Sequence, residues 1–139
     1  MTTRITVQTH VSAAPELAWN VYTQPEHICA WNAASPDWHT PRATTDLRVG
    51  GRFSSRMEAR DGSMGFDFEG TWTRVAPFTA LSYTMPNGRE ADITFAQDDS
   101  GTAVVVTFDA EETHPLDMQK AGWQSILDNY ARYIGSLTA

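Results

Sequence analysis

The sequence predicts a single α+β domain over residues 1–139, in which a curved antiparallel sheet of six to seven strands packs around a long C-terminal helix. Three observations predict this fold. Short alternating segments separated by tight turns fill residues 43–111, an amphipathic segment ends the chain, and no linker or repeat divides the 139 residues. That length suits one domain with its own core.

The N-terminal segment predicts one strand followed by two short helices. Every second residue from Ile5 to Val11 is β-branched and the residues between are polar, which is typical of a strand with one buried face. Pro15 suits the first turn of a helix, with apolar residues following at helical spacing. A second short helix is predicted from Pro25 to about Trp31.

Turn residues divide the middle of the chain into further strands. Gly50-Gly51, Asp61-Gly62 and Asn87-Gly88 predict turns because glycine and asparagine tolerate positive φ, and Pro77 and residues 98–101 mark two more. Between the turns, inward residues alternate with polar ones, which predicts an antiparallel meander with one solvated face. The inward sets are Phe53/Ser55/Met57, Phe66/Phe68/Trp72, Leu81/Tyr83/Met85, Ala91/Ile93/Phe95 and Val104/Val106/Phe108.

The C-terminal segment predicts an amphipathic helix from Pro115 to about Leu137. Projected at about 100° per residue, its apolar residues share one broad arc and its charged residues the other. The only large partner for that arc is the apolar face of the sheet. A broad twisted sheet that curves around one helix leaves space near the helix, so a pocket is expected. The arc comprises Leu116, Gln119, Gly122, Trp123, Ile126, Leu127, Tyr130, Tyr133, Ile134 and Leu137.

Charge and cysteine content restrict the partners and the compartment. The formal net charge of −7 disfavours nucleic acid and anionic membrane surfaces as partners. A single cysteine, Cys29, excludes an internal disulfide and fits a reducing compartment. The N-terminus has no signal-peptide pattern and no apolar run is long enough to span a bilayer, so a cytoplasmic location is expected. An edge strand or an exposed loop offers a surface for a homodimer.

An ordered set of residues resembles the helix-grip proteins of the START and birch-pollen-allergen superfamily, often called SRPBCC. Within that superfamily the chain resembles proteins similar to the C-terminal domain of the heat-shock protein 90 ATPase activator. The resemblance implies the helix-grip fold and a cavity, but no single activity and no catalytic residue. The residues that carry it are Pro15 with Trp19, Pro25 with Trp31, Asp46-Leu47-Arg48-Val49-Gly50-Gly51-Arg52-Phe53, Met57, Gly70 with Pro77, and Gly122-Trp123 with Ile126 and Leu127.

Inward aromatic residues are the main candidates for a ligand site. For any one of them a core position is the better interpretation. Together, however, they are numerous for a sheet that covers one helix, and apolar walls with a few polar groups describe a small-molecule site. Gln119 has two interpretations: a buried amide that orients a ligand, or a side chain that reaches water. The predicted ligand-binding residues are Trp31, Phe53, Met57, Phe66, Phe68, Tyr83, Phe95, Gln119, Trp123 and Tyr130.

Catalytic and metal-binding patterns are weak. Residues 32–41 contain two prolines and no periodicity, which predicts a loop. His39 in that loop is the one candidate base. The alternative interpretation is that His39 is an ordinary loop histidine bonded to water or backbone. The four histidines lack metal-pair spacing, so no metal and no cofactor are expected. Asp67 and Glu69 share a strand face, but it is the solvated one.

Three functions remain open on this sequence. The leading hypothesis is binding of a small, largely apolar or aromatic molecule in a cavity between sheet and helix. A co-chaperone-like interaction module is the second, and a hydrolase or cyclase that uses the same cavity is the third. The third would need a titratable group in the pocket, so binding is favoured over turnover.

Overall fold

A computed structural model describes residues 3–138 and shows a seven-stranded antiparallel sheet with three helices. The predicted α+β helix-grip class is confirmed. The elements in chain order are β1 (Arg4–Val11), α1 (Pro15–Thr23), α2 (Pro25–Trp31), β2 (Trp38–Thr45), β3 (Arg52–Ala59), β4 (Gly65–Ala76), β5 (Ala80–Thr84), β6 (Glu90–Asp98), β7 (Gly101–Asp109) and α3 (Leu116–Thr138).

The sheet is a meander with one crossover. Strands β2 to β7 lie side by side in chain order, and β1 pairs with β7 at the far edge, so the order is β1-β7-β6-β5-β4-β3-β2. The alternation predicted from the sequence sets the register: Ile93 lies opposite Val106, and Ala91 opposite Phe108, with all four buried. One face of the sheet therefore forms the core and the other faces solvent.

Strand β2 corrects the loop predicted for residues 32–41. It begins at Trp38, so His39 lies in an edge strand. Alternation was not visible because the β2–β3 register shifts between His39 and Arg42, and Pro41 stands within the shift. Proline is tolerated there because an edge strand leaves one side of its backbone without ladder bonds.

Helix α3 packs against β1 and also contacts α1 and α2. Its buried residues are Gln119, Leu127, Tyr130 and Ile134, which come from the predicted arc. Leu116 and Leu137, at the two ends of that arc, are 50% and 45% exposed. The two ends of the helix are thus less covered than its middle. A site between helix and sheet would therefore lie beside the middle of α3.

Candidate functional site

Packing of α3 over one side of the sheet leaves a cavity. The helix lies against β1, whereas β2, β3 and β4 form the opposite half of the sheet. Between them a cavity of about 220 Å³ remains, here called the sheet–helix cavity. Residues that line it are Val7, Tyr22, Ile28, Trp31, Asn32, Thr44, Thr45, Phe53, Ser55, Met57, Phe66, Phe68, Trp72, Tyr83, Val106, Trp123, Ile126 and Leu127.

Aromatic rings from three neighbouring strands form the sheet side of the cavity. Phe53 on β3 lies 4.8 Å from Trp72 on β4 and 4.9 Å from Tyr83 on β5, measured between ring centroids. Gly70 makes this packing possible, because a Cβ atom there would approach the Phe53 ring to 2.6 Å. The tilted and edge-on ring geometries are those that aromatic pairs prefer.

Two tryptophans form the helical side of the cavity. Trp31 ends α2, is 7% exposed and donates its indole N–H to the backbone oxygen of Val21 at 2.8 Å. Trp123 on α3 stacks on Phe108 and meets Phe68 edge-on at 6.2 Å. Both rings are therefore held in place by fixed partners, which suits a preformed binding site.

Hydroxyl groups and the side-chain amide of Asn32 supply the few polar side-chain atoms in this apolar wall. The Thr45 hydroxyl accepts a hydrogen bond from the Trp72 indole at 3.0 Å. Within residues 3–138, no hydrogen bond is made by the side chains of Ser55, Tyr22 or Tyr83, although Ser55 is only 5% exposed and Tyr83 6%. Burial raises the pKa of both tyrosines, so they remain neutral hydrogen-bonding groups.

The structure brings most of the predicted site residues together. Those that line the sheet–helix cavity are Trp31, Phe53, Met57, Phe66, Phe68, Tyr83 and Trp123. Phe66 is 48% exposed, so it lies at the rim. The other three predicted residues, Phe95, Gln119 and Tyr130, lie elsewhere.

Gln119 neither faces the cavity nor reaches water, the two roles considered from the sequence, but bonds to backbone groups of its own chain. Its side-chain nitrogen donates to the backbone oxygens of Glu111 at 3.0 Å and His114 at 2.8 Å. Its side-chain oxygen accepts from the Glu111 backbone N–H at 2.9 Å. The amide is 9% exposed and fully bonded, so it fastens the β7–α3 connection and orients nothing in the cavity.

Phe95 and Tyr130 are core residues beside the cavity. Phe95 meets Trp19 and Tyr22 at ring-centroid distances of 5.6 and 5.7 Å. Tyr130 is fully buried and donates its hydroxyl hydrogen to the backbone oxygen of Ala18 at 2.7 Å, which ties α3 to α1. Neither ring lines the sheet–helix cavity.

Sequence reasoning missed Ser55 and Tyr22 as parts of the site. A signal for Ser55 was available, because the alternation Phe53/Ser55/Met57 puts one polar residue on the inner face between two apolar ones. Tyr22 flanks the apolar stripe of α1, and only the packing of α1 on β6 brings it to the cavity.

A second, more polar depression adjoins the first. This polar cleft of about 410 Å³ lies between residues 29–40 and α3, and Trp31 and Asn32 line both spaces. Its charged walls come from Arg60, Asp128 and Arg132.

His39 lines the polar cleft and not the sheet–helix cavity. Its Nε2 atom lies 3.9 Å from Oε1 of Glu58. The ring thus lies beside a carboxylate on the neighbouring strand. A general base must be within hydrogen-bond reach of the proton it removes, and His39 does not line the sheet–helix cavity. Cys29 also lines the cleft, and burial raises the pKa of its thiol, the direction of an unreactive cysteine.

Acidic residues outside the cavity have structural partners. Asp67 lies 3.5 Å from Arg56, which also pairs with Glu58 at 2.9 Å on the solvated face of the sheet. Across residues 3–138 no group of three or more His, Cys, Asp and Glu side chains is close enough to hold a metal ion. Nor does any helix of that described part have the length and hydropathy needed to cross a membrane.

The chain matches the model of a known protein family over most of its length. The family model described as "Activator of Hsp90 ATPase homolog 1-like protein" matches residues 12–135. The chain belongs to this family. The resemblance inferred from the sequence is thereby confirmed at both levels, since these proteins have the SRPBCC-type fold. No functionally curated protein matches the chain.

Solved structures include similar proteins of nearly equal length. The solution structure of the AHSA1-like protein from Aeromonas hydrophila is 48% identical, with a TM-score of 0.92, and the match covers 98% of this chain and 94% of that one. A protein from Cytophaga hutchinsonii is 39% identical, with a TM-score of 0.80 and coverage of 99% and 94%. A protein from Nitrosomonas europaea, at 20% identity, a TM-score of 0.83 and coverage of 96% and 94%, shows the shared fold alone.

Proposed function

We propose that the protein binds a small, largely apolar or aromatic molecule in the sheet–helix cavity. The observation that carries the proposal is the cavity itself, about 220 Å³ of space walled by aromatic and aliphatic side chains. A cavity of about 150 Å³ suffices for benzene in another protein, so one or two fused rings fit this volume. Proteins with this fold commonly bind hydrophobic ligands, which supports the same function.

Binding is proposed in preference to turnover because of what lines the cavity. Among the described residues of its wall there is no Asp, Glu, His, Lys, Arg or Cys. The ionisable groups present are Tyr22 and Tyr83, whose pKa values burial raises. A hydrolase or cyclase would need a group that exchanges a proton near neutral pH in contact with the ligand.

The experiment is a titration with aromatic compounds in a pair of tryptophan variants. Ile126→Trp places a larger side chain in the cavity wall, whereas Ala121→Trp adds the same side chain at an exposed position of α3. We expect the wild type and Ala121→Trp to bind with equal affinity, and Ile126→Trp to bind at least tenfold more weakly. Native mass spectrometry of the purified protein would identify a retained ligand directly.

Chemical shifts in 15N-labelled protein would follow binding and report folding in the same spectra. If Ile126→Trp is folded and binds like the wild type, the cavity is not the site. If no compound binds the wild type, the co-chaperone-like function becomes the stronger candidate, because the family description concerns activation of the Hsp90 ATPase. Stimulation of that ATPase by the purified chain would then be the measurement.

A further inference from the structure

Several polar side-chain groups on the wall of the sheet–helix cavity have no hydrogen-bond partner among the described residues: the hydroxyls of Thr44, Ser55, Tyr22 and Tyr83 and the amide of Asn32. Ser55 is the most informative of them, because its side chain is too short to reach beyond the wall. It lies on β3 opposite Phe68 of β4 and Ala43 of β2, on the face that also carries Phe53 and Met57. Only 5% of the residue is exposed, and its hydroxyl makes no hydrogen bond within residues 3–138.

The Ser55 hydroxyl oxygen keeps some accessible surface, since the one fully buried side-chain nitrogen or oxygen without a partner in residues 3–138 is Nε of Arg89. Hydroxyl groups in such nearly buried positions are usually hydrogen-bonded to protein or water. Ser55 borders the cavity, so a partner for its hydroxyl has room to enter there. Tyr83 and Tyr22 border the same space and contribute two more hydroxyls without partners in the described chain. Their rings extend the apolar wall, and only their hydroxyl ends are polar.

The side chains of the cavity wall restrict the charge that a ligand can carry. The described residues of the wall include no basic side chain that would pair with a carboxylate or phosphate, and no acidic one that would pair with an ammonium. A buried charge without a partner is strongly disfavoured. The net charge of −7 adds a long-range penalty for anions.

We propose that the ligand of this cavity is an uncharged aromatic or alicyclic molecule with one hydroxyl or carbonyl group, and that the Ser55 hydroxyl hydrogen-bonds that group. This inference rests on the proposed function and adds to it the polarity of the ligand and the residue that recognises it. Serine can donate to a carbonyl or accept from a hydroxyl, so both groups belong to one class of ligand.

Four naphthalene compounds with the same ring system test the inference. Naphthalene has no polar group, 2-naphthol is neutral and polar at pH 7, 2-naphthoate is an anion, and 2-naphthylmethylamine is a cation. Dissociation constants come from chemical-shift titrations of the 15N-labelled wild type, Ser55→Ala and Ser54→Ala. Ser54 is the matched control, because it is the neighbouring serine on the opposite face of β3 and does not line the cavity.

We expect 2-naphthol to bind the wild type about two- to tenfold more tightly than naphthalene, the range of one neutral hydrogen bond. The two ions should bind at least about tenfold more weakly than naphthalene, because each would be buried without a partner. Ser55→Ala should remove the advantage of 2-naphthol and leave naphthalene unchanged. Ser54→Ala should bind all four compounds like the wild type.

Equal binding of naphthalene and 2-naphthol by the wild type would overturn the inference while leaving the proposed function intact. So would an unchanged preference in Ser55→Ala, or tightest binding of either ion. Preferred binding of the amine would instead indicate that the aromatic rings recognise a cation. If none of the four compounds binds, both the inference and the proposed function fail.

Discussion

The indole of Trp123 lies face to face on the ring of Phe108, with 3.8 Å between the ring centroids and 9° between their planes. Phe108 is fully buried on β7, the strand next to edge strand β1, so this stack joins α3 to the inner face of the sheet. The same indole lines the sheet–helix cavity. Trp123 therefore supports the fold and also forms part of the cavity wall.

Replacement of Trp123 tests the structural part of this double role. Trp123→Ala should lower the free energy of unfolding by about 2–4 kcal/mol, toward the low end of large-to-small core substitutions because the indole is only partly buried. Trp123→Phe should cost about half as much, since a ring remains to stack on Phe108. Urea unfolding followed by far-UV circular dichroism measures both. A loss below about 0.5 kcal/mol in Trp123→Ala would show that the stack contributes little.

Gln119→Leu separates the observed role of Gln119 from that of a ligand-orienting amide. The substitution removes the hydrogen bonds to the backbone of Glu111 and His114 and should cost about 1 kcal/mol of stability, because three partly buried hydrogen bonds are lost and water can reach the freed backbone groups. Affinity for aromatic compounds should stay the same, since Gln119 does not line the cavity.

Lys120→Leu is the control for that substitution, because Lys120 is the next residue of α3 and is exposed. It should leave stability within about 0.5 kcal/mol of the wild type. Thermal unfolding and the aromatic titration measure the two quantities. Gln119→Leu with native stability and weaker binding would restore the ligand-orienting role.

Periodicity explains why so much of the fold was predictable. A strand has a repeat of two residues and a helix of 3.6, so the buried faces of β3 to β7 and the arc of α3 are readable from the order of residues alone. The inner positions Phe53, Met57, Phe68 and Tyr83 follow from that alternation, and all four line the cavity. Alternation identifies which residues lie on the inner face of each strand, and those residues are the ones that can line a cavity between sheet and helix.

Contacts between segments distant in sequence were not predictable in the same way. Gln119 occupies the predicted arc, but its partners lie in the irregular segment after β7, and no periodicity describes that segment. Strand β2 escaped detection because a register shift beside Pro41 interrupts its alternation. His39 was misplaced for the same reason, since a residue assigned to a loop has no predictable neighbours on an adjacent strand.

Glu111 makes the β7–α3 connection sensitive to acid. Burial works against its ionisation, but hydrogen bonds from the His114 side chain and the backbone N–H groups of Thr113 and His114 outweigh it and lower the pKa to about 2. A carboxylate whose pKa is lower in the folded state stabilises the protein above its unfolded pKa. That stability should be lost as the pH falls from about 4.5 to about 2.

Glu111→Gln should therefore lower the melting temperature at pH 7, and the difference from the wild type should shrink as the pH falls through that window. Glu112→Gln is the control, because the adjacent Glu112 is exposed. Scanning calorimetry at a series of pH values measures the effect. A difference between Glu111→Gln and the wild type that is independent of pH would contradict this role of the carboxylate.

Gln124 covers part of the open edge of the sheet at β1. Its side-chain nitrogen donates to the backbone oxygen of Gln8 at 3.0 Å, and its side-chain oxygen accepts from the Gln8 N–H at 3.3 Å. Asp128 accepts a further hydrogen bond from the same nitrogen at 2.9 Å and holds the amide in place. The amide thus occupies the two backbone groups that an added strand would use.

Gln124→Ala should expose that edge, because alanine offers no group to replace the two hydrogen bonds. We expect faster hydrogen exchange at the Gln8 amide, a stability loss of about 1–2 kcal/mol and stronger concentration-dependent self-association through β1. Lys120→Ala, one turn earlier on the exposed side of α3, should change none of the three. Hydrogen-exchange NMR and light scattering across a concentration series measure the outcome. Unchanged hydrogen exchange at the Gln8 amide in Gln124→Ala would contradict this role. It would mean that other parts of α3, and not the Gln124 amide, protect the edge of β1.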